Sequence, residues 1–291
     1  MLLAVPNFSE GRDRARVESI STAFATGAAL LDTHSDDVHN RTVLTLSGPS
    51  APLAAALVKG AQACVDEIDM RRHEGAHPRI GALDVCPVVW LHPGDRELAR
   101  SDALGVARAI AAEGIPVFLY GELASEEPRR ERAFFRDGGL DRLRARMASG
   151  EVTPDFGPSE LHTTAGATLV TARAPLAAFN ILLVGGHIEA ARAVAARLRE
   201  SGGGLPGVRA IGVDLGKGRI QVSTNVHDPT RVPLAEVLDR IRELAVDQGT
   251  AVASAEIVGL VPEAALAGWP EEVPIEGFEP DQHIIERRTG L

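Results

Sequence analysis

Apolar and polar positions along the chain switch repeatedly between the two-residue period of strands and the 3.6-residue period of helices. Residues 2–8 (LLAVPNF) form an apolar run that predicts a strand ending in the turn Ser9-Glu10-Gly11, followed by a helix to about Phe24. Residues 28–33 and 41–47 (RTVLTLS) read as strands. Residues 52–68 carry apolar side chains at Leu53, Ala56, Leu57, Ala61, Cys64 and Ile68, one face of a helix. Residues 83–91 predict a strand, 96–113 a helix and 116–120 a strand, giving β-α-β-β-α-β-α-β.

Residues 125–153 are rich in charge and read as a solvated helical face, followed by a loop over 154–166. The pattern restarts at residue 176, with a strand over 176–184 and a helix over 188–201. Strands at 208–214 and 220–225 follow, joined by Gly216-Lys217-Gly218, then a helix over 233–247 and a strand over 252–261. That order, β-α-β-β-α-β, is the split-βαβ or ferredoxin-like arrangement. The first half approximates it with insertions. The expectation is an α+β protein of two tandem ferredoxin-like α/β sandwich subdomains, residues 1–174 and 175–291, with a ligand cleft between them. Residues 274–291 are polar and read as a loosely docked tail.

Composition narrows the function classes. The chain has 291 residues, 45% of them hydrophobic, enough for a sizeable core. Thirty basic against 40 acidic residues give a formal charge of −10, a poor balance for nucleic acid or anionic membranes. Cys64 and Cys86 cannot form a disulfide framework or a CxxC site, and read as core side chains in a reducing compartment. No run reaches a membrane span, and the apolar start is too short for a secretory signal, so a cytoplasmic protein is expected.

Three polar clusters carry candidate chemistry. His73-Glu74-Gly75-Ala76-His77 matches H-E-x-x-H, in which two imidazoles on one helical face hold zinc. Gly75 and the following Pro78 argue against a helix there. His77 is then either a general acid/base titrating near neutral pH or a residue satisfying loop hydrogen bonds. At the end of the first strand, Asn7 offers a donor and an acceptor. Glu10 suits a cation, or caps the next helix together with Ser9. In the third cluster Arg41 suits a carboxylate, whereas Asp36, Asp37 and His39 read as a solvated turn. Asn180 and Asn225 interrupt or end apolar strands and are either core hydrogen-bond nodes or ligand contacts.

In order, VPNFSEGRD, NRTVLTLSG, IDMRRHEGAHPRIGALDVCP, IPVFLYGELA, PDFGPS, AFNILL, QVSTN and IVGLVP resemble the formiminotransferase domain family over residues 5 to about 262. The resemblance implies two ferredoxin-like subdomains and a homodimer. It implies transfer of a formimino group from N-formimino-L-glutamate to N5 of tetrahydrofolate, a co-substrate, within histidine degradation and one-carbon metabolism, with no metal. The family's catalytic histidine falls on His77. Its folate segment falls on Gly157, Pro158, Ser159, Glu160, Leu161, His162, Thr163, Thr164, Ala165 and Gly166. Substrate contacts are expected at Asn7, Glu10, His34, Arg41, Arg79, Asn180 and Asn225, with the two arginines on carboxylates. The chain departs from the family at His34, where aspartate is common, at Ala76, where an acidic residue is frequent, and at Ala165, where an aromatic is expected. Alternatives are a related one-carbon or amidine transferase or hydrolase with another acceptor, and a non-catalytic relative binding a folate-like ligand.

Overall fold

A computed structural model describes residues 1–76 and 78–290. The elements in chain order are β1 (Leu2–Ala4), β2 (Asn7–Phe8), α1 (Arg14–Phe24), β3 (Ala29–Asp36), β4 (Arg41–Gly48), α2 (Ser50–Glu67), β5 (Leu83–Trp90), α3 (Arg96–Ala112), β6 (Val117–Leu119), α4 (Arg132–Arg136), α5 (Gly139–Ala148) and β7 (Thr168–Arg173). They continue with β8 (Ala177–Val184), α6 (Ile188–Leu198), β9 (Val208–Gly216), β10 (Arg219–Val226), α7 (Leu234–Val246), β11 (Ala251–Ile257), α8 (Pro280–His283) and α9 (Ile285–Thr289). The chain divides into two compact units, Met1–Ala174 and Pro175–Leu291.

The first unit holds a seven-stranded mixed sheet. The strand predicted over 2–8 is split into β1 and β2, which both lie between β4 and β5. The break falls at Val5-Pro6, where proline has no N–H for the ladder. In space the sheet runs β3, β4, β1 with β2, β5, β7, β6; β7 is parallel to both β5 and β6. The sequence reading left β7 out. Its first five residues are buried, so it lacks the alternation that marks a half-exposed strand.

Helices α1, α2 and α3 cover one face through Phe24, Leu53, Leu57, Cys64, Val106 and Ile110, which pack on Phe8, Leu44, Leu46, Cys86 and Val88. A smaller core lies around Phe118, Phe135, Leu143 and Leu169. It corrects the reading of residues 125–153 as a plain solvated face. That segment packs Phe135 against Phe118 with ring centroids 5.0 Å apart. Its buried arginines pair internally. Arg129 pairs with Asp155, and Arg146 pairs with Glu151 at 2.7 Å while its guanidinium lies 4.4 Å over the Phe134 ring.

The second unit is a four-stranded antiparallel sheet in the order β11-β8-β10-β9. Helices α6 and α7 pack through Val194, Leu198, Leu238 and Ile241 on Phe179, Ile181 and Val222. In each unit the first four strand positions of the chain lie in the spatial order second, third, first, fourth, counting β1 with β2 as one. The tail is docked rather than loose. Residues Ile275 and Ile284 bridge Ala255 and Val261, and Ile284 and Ile285 are buried. Short bridges between distant residues leave no local pattern to read. Among the described residues no helix is long and apolar enough to cross a membrane.

Candidate active site

The C-terminal ends of β2 and β3 and the N-terminal ends of β4, β5 and β7 share one end of the first sheet. Four loops leave from there: residues 9–13, 37–40, 68–82 and 157–167. Loops held on a rigid sheet end are suited to catalytic groups.

Glu10 organises the first loop. Its Oε1 accepts from the backbone N–H of Gly11, Arg12 and Asp13 at 3.0, 2.9 and 3.0 Å. The N-cap of α1 is Asp13, whose carboxylate accepts from the N–H of Ala15 and Arg16. Ser9 therefore has a different task from the expected cap: its hydroxyl donates to the Gly81 carbonyl at 2.7 Å, joining the first loop to the third.

Asn40 joins three loops. It sits at φ 49°, a conformation that asparagine tolerates better than most residues. Its Oδ1 accepts from Gly11 N–H at 3.0 Å, and its Nδ2 donates to the Glu74 carbonyl at 2.8 Å. The Ala76 N–H donates to the Val38 carbonyl at 3.1 Å. A Cβ at Gly75 would lie 2.3 Å from the His39 carbonyl oxygen, so only glycine permits this approach.

Of the turn expected to be solvated, Asp37 is exposed, whereas Asp36 and His39 are built inward. His39 is 3% exposed and its Nδ1 lies 3.0 Å from Asp36 Oδ1, which also accepts the His39 N–H at 2.7 Å. Burial pushes the Asp36 carboxyl up, but the bonds from His39 outweigh it and hold the pKa at about 2. The folded value is below the unfolded 3.8, so this stabilisation is complete above that pH and is lost as pH falls toward 2. Thermal melts of wild type and Asp36→Asn should therefore converge as pH falls from about 4 to about 2. A constant gap between them would contradict this assignment.

Residues 68–76 and 78–82 are not helical, so the zinc geometry that H-E-x-x-H supplies on a helix is not formed by His73 and its neighbours. Among the described residues no group of three or more His, Cys, Asp and Glu is placed to hold a metal ion. His77, the expected catalytic histidine, lies outside the described residues. His73 packs half-buried with Nε2 3.0 Å from the Asn40 carbonyl. A carbonyl only accepts, so Nε2 carries the proton and Nδ1 keeps its lone pair. That Nδ1 is buried and has no hydrogen-bond partner among the described residues. Burial and the nearby Arg79 charge push the His73 pKa down, which keeps the ring neutral. The Arg79 guanidinium donates to the carbonyls of Gly75 and His73 at 2.8 and 2.7 Å, clasping residues 73–75.

The segment expected to bind folate lies beside this loop. Met70 N–H donates to the Thr164 carbonyl at 2.7 Å, Ala82 N–H to Ala165 at 2.8 Å and Ala167 N–H to Ile80 at 2.9 Å. Gly157, Pro158, Ser159 and Glu160 are exposed, and Leu161 packs on the second core. His162 and Gly166 exchange backbone bonds at 3.0 Å, and His162 Nδ1 accepts from Ala165 N–H. Thr163 is exposed and Thr164 half-buried. Ala165 is 2% exposed and belongs to the first core, so a side chain here points into the protein.

On the sheet itself, His34 and Asn7 both stand opposite Val43. Leu44 and Leu46 point to the helices, so Val43, Asn7, His34 and Arg41 share the opposite face. Asn7 Nδ2 donates to the Val5 carbonyl at 2.9 Å. Asp84, which sequence reasoning missed, is 2% exposed, accepts from Ile80 N–H at 2.8 Å and pairs with Arg136. In the second unit Asn180 and Asn225 lie on the face away from α6 and α7. Asn180 donates to Glu256 Oε2 at 2.9 Å across the β8–β11 ladder.

An α+β protein whose loops gather amide, imidazole, carboxylate and guanidinium groups at a sheet end has the form of a small-molecule enzyme. Family models narrow that class. One described as "Formiminotransferase domain, N-terminal subdomain" matches residues 1–173, and one described as "Formiminotransferase domain" matches residues 178–269. Glutamate formimidoyltransferase of Streptococcus pyogenes serotype M1 is 35% identical over 97% of this chain and 96% of its own. That of Thermoplasma acidophilum is 35% identical over 98% and 95%. Formimidoyltransferase-cyclodeaminase of Sus scrofa is 39% identical over 90% of this chain, which spans 50% of that longer protein. The chain belongs to the formiminotransferase domain family.

Proposed function

We propose that the protein is a glutamate formimidoyltransferase, which moves a formimino group from N-formimino-L-glutamate to N5 of tetrahydrofolate and releases glutamate. The observation that carries this reading is the match to relatives of that name along nearly the whole of both chains. The recurring strand order supports a ferredoxin-like reading of both units, the first carrying the catalytic histidine. A homodimer and a cytoplasmic setting belong to the same reading.

In the reaction N5 attacks the amidine carbon and loses a proton, and the departing glutamate nitrogen gains one. One imidazole serves both steps, and we assign it to His77. Positioning two large substrates supplies much of the remaining acceleration. The clasp by Arg79 and the brace by Asn40 hold residues 73–75. Arg79 is thus assigned to positioning, and Arg41 to a substrate carboxylate. Glu10 shapes its loop with one oxygen while the other faces Arg16 at 3.8 Å. The exposed tip at 157–160 and the backbone of 161–166 are assigned to folate. Asn7, His34, Asn180 and Asn225 are assigned to substrate polar groups.

The test is to mix purified protein with both substrates and follow 5-formimino-tetrahydrofolate. Turnover supports the proposal. Absence of turnover with tetrahydrofolate still raising Tm redirects the donor assignment, and absence of both rejects the proposal.

A further inference from the structure

The backbone strip Ile80-Gly81-Ala82 lies between two of the loops that build the candidate site. On one side Ala167 N–H donates to the Ile80 carbonyl at 2.9 Å, Ala82 N–H donates to the Ala165 carbonyl at 2.8 Å, and Gly81 bridges Gly166. A Cβ at Gly81 would lie 1.9 Å from the Ala167 carbonyl oxygen, so the two segments meet backbone to backbone. On the other side the Ser9 hydroxyl and N–H donate to the Gly81 and Ala82 carbonyls at 2.7 and 2.8 Å. The place of the strip therefore sets the place of residues 165–167, at the end of the segment assigned to folate.

A side chain fixes the start of the strip. Ile80 N–H donates to Asp84 Oδ1 at 2.8 Å, and the other Asp84 oxygen accepts from the Arg136 guanidinium. Among the described residues each of these two side chains is the other's one ion-pair partner. Both are withdrawn from water, Asp84 to 2% and the Arg136 side chain to 10% exposure. Arg136 ends α4, which is fastened independently of Asp84. Phe135 packs on Phe118 of β6, and Arg129 pairs with Asp155, whose carboxylate also accepts the β6 Leu119 N–H at 2.8 Å. A continuous line of contacts thus runs from β6 through Arg136 and Asp84 to Ile80 and, one bond further, to Ala167.

We propose that Arg136 and Asp84 are positioning residues for the folate acceptor: the pair holds Ile80, and through Ile80 the backbone of residues 165–167, where tetrahydrofolate binding requires it. The proposal rests on the formimidoyltransferase reading, which assigns residues 157–166 to folate. Neither side chain is assigned a contact with substrate. With Arg136 removed, the Asp84 carboxylate is a buried charge without a counter-charge. It turns toward water or takes up a proton, and either change loosens its hold on Ile80. Ile80 is bonded onward to Ala167, whereas Ser9 keeps its own two bonds to Gly81 and Ala82. The disturbance is therefore directed to the folate side of the strip.

The test uses the full chain, its Arg136→Met and Arg136→Lys variants and the double variant Asp84→Asn/Arg136→Met, each below its melting temperature. Calorimetric Kd for tetrahydrofolate is measured beside KM for both substrates. Arg136→Met is expected to raise the tetrahydrofolate Kd and KM by about 10-fold and the donor KM by less than about 3-fold. Arg136→Lys returns the charge without the planar fork and should recover part of the folate affinity. The double variant leaves no buried charge unpaired and keeps an oxygen for Ile80, so it should bind tetrahydrofolate more tightly than Arg136→Met alone. If Arg136→Met does not fold, a smaller rise in the same direction is expected of Arg136→Lys. A folded variant with a lowered Tm but unchanged tetrahydrofolate Kd and KM, or with equal rises in both KM values, overturns the proposal. Wild type that binds tetrahydrofolate in an Arg136-dependent way without any transfer leaves the positioning role standing and removes the transferase reading. Wild type that does not bind tetrahydrofolate removes both.

Discussion

Replacing His77 with alanine is expected to lower kcat by about 10²–10⁴-fold, the usual contribution of a general acid/base, with Tm nearly unchanged. The proposed chemistry passes one proton off N5 and one onto the glutamate nitrogen, and no other group is assigned to carry it. The described residues of that loop are held by bonds of their own. Arg79 donates to the His73 and Gly75 carbonyls, Ala76 N–H to Val38, and Asn40 to Glu74, all from neighbouring residues. Stopped-flow or steady-state kcat, read beside a thermal melt, checks both halves. Turnover within about 3-fold of wild type would remove His77 from the proton path and direct attention to the Nδ1 of His73, which has no partner among the described residues.

Asp84→Ala is expected to have the largest effect on stability. Asp84 is 2% exposed and accepts from both Ile80 N–H and the Arg136 guanidinium. Its loss leaves a largely buried guanidinium without a counter-charge and a buried N–H without an acceptor. Breaking such a pair from one side costs about 3–5 kcal/mol. For a unit of this size that corresponds to roughly 6–20 °C in Tm. Asp84→Asn, which keeps an acceptor for Ile80, should lose less. A calorimetric melt that moves by less than about 2 °C in Asp84→Ala would show that Asp84 does not neutralise Arg136.

The amphipathic helices were legible because their apolar periods are local. Residues 52–68 and 96–113 were read from pattern alone, and α2 and α3 occupy Ser50–Glu67 and Arg96–Ala112. What escaped were features whose cause lies elsewhere in the chain. β7 is buried by α3 on one side and the second core on the other, so its pattern does not alternate. Residues 125–153 look solvated by charge, yet Arg146 stacks on Phe134 and Phe135 meets Phe118.

The candidate site divides in the same way. Arg41, Asn7 and the residues around position 77 stood out because polar groups at strand ends are visible locally. The roles of Asn40, Asp84 and His73 depend on loops separated by tens of residues, so no local signal announced them. The positive φ at Asn40, just before the RTVLTLS strand, was the nearest usable clue, since asparagine is common there.

The most direct test of transfer follows glutamate liberated from N-formimino-L-glutamate by purified protein, with and without tetrahydrofolate, beside the folate product. The account predicts that glutamate appears only when tetrahydrofolate is present, in one-to-one ratio with 5-formimino-tetrahydrofolate. Glutamate released at the same rate without tetrahydrofolate, with water as the acceptor, would contradict it.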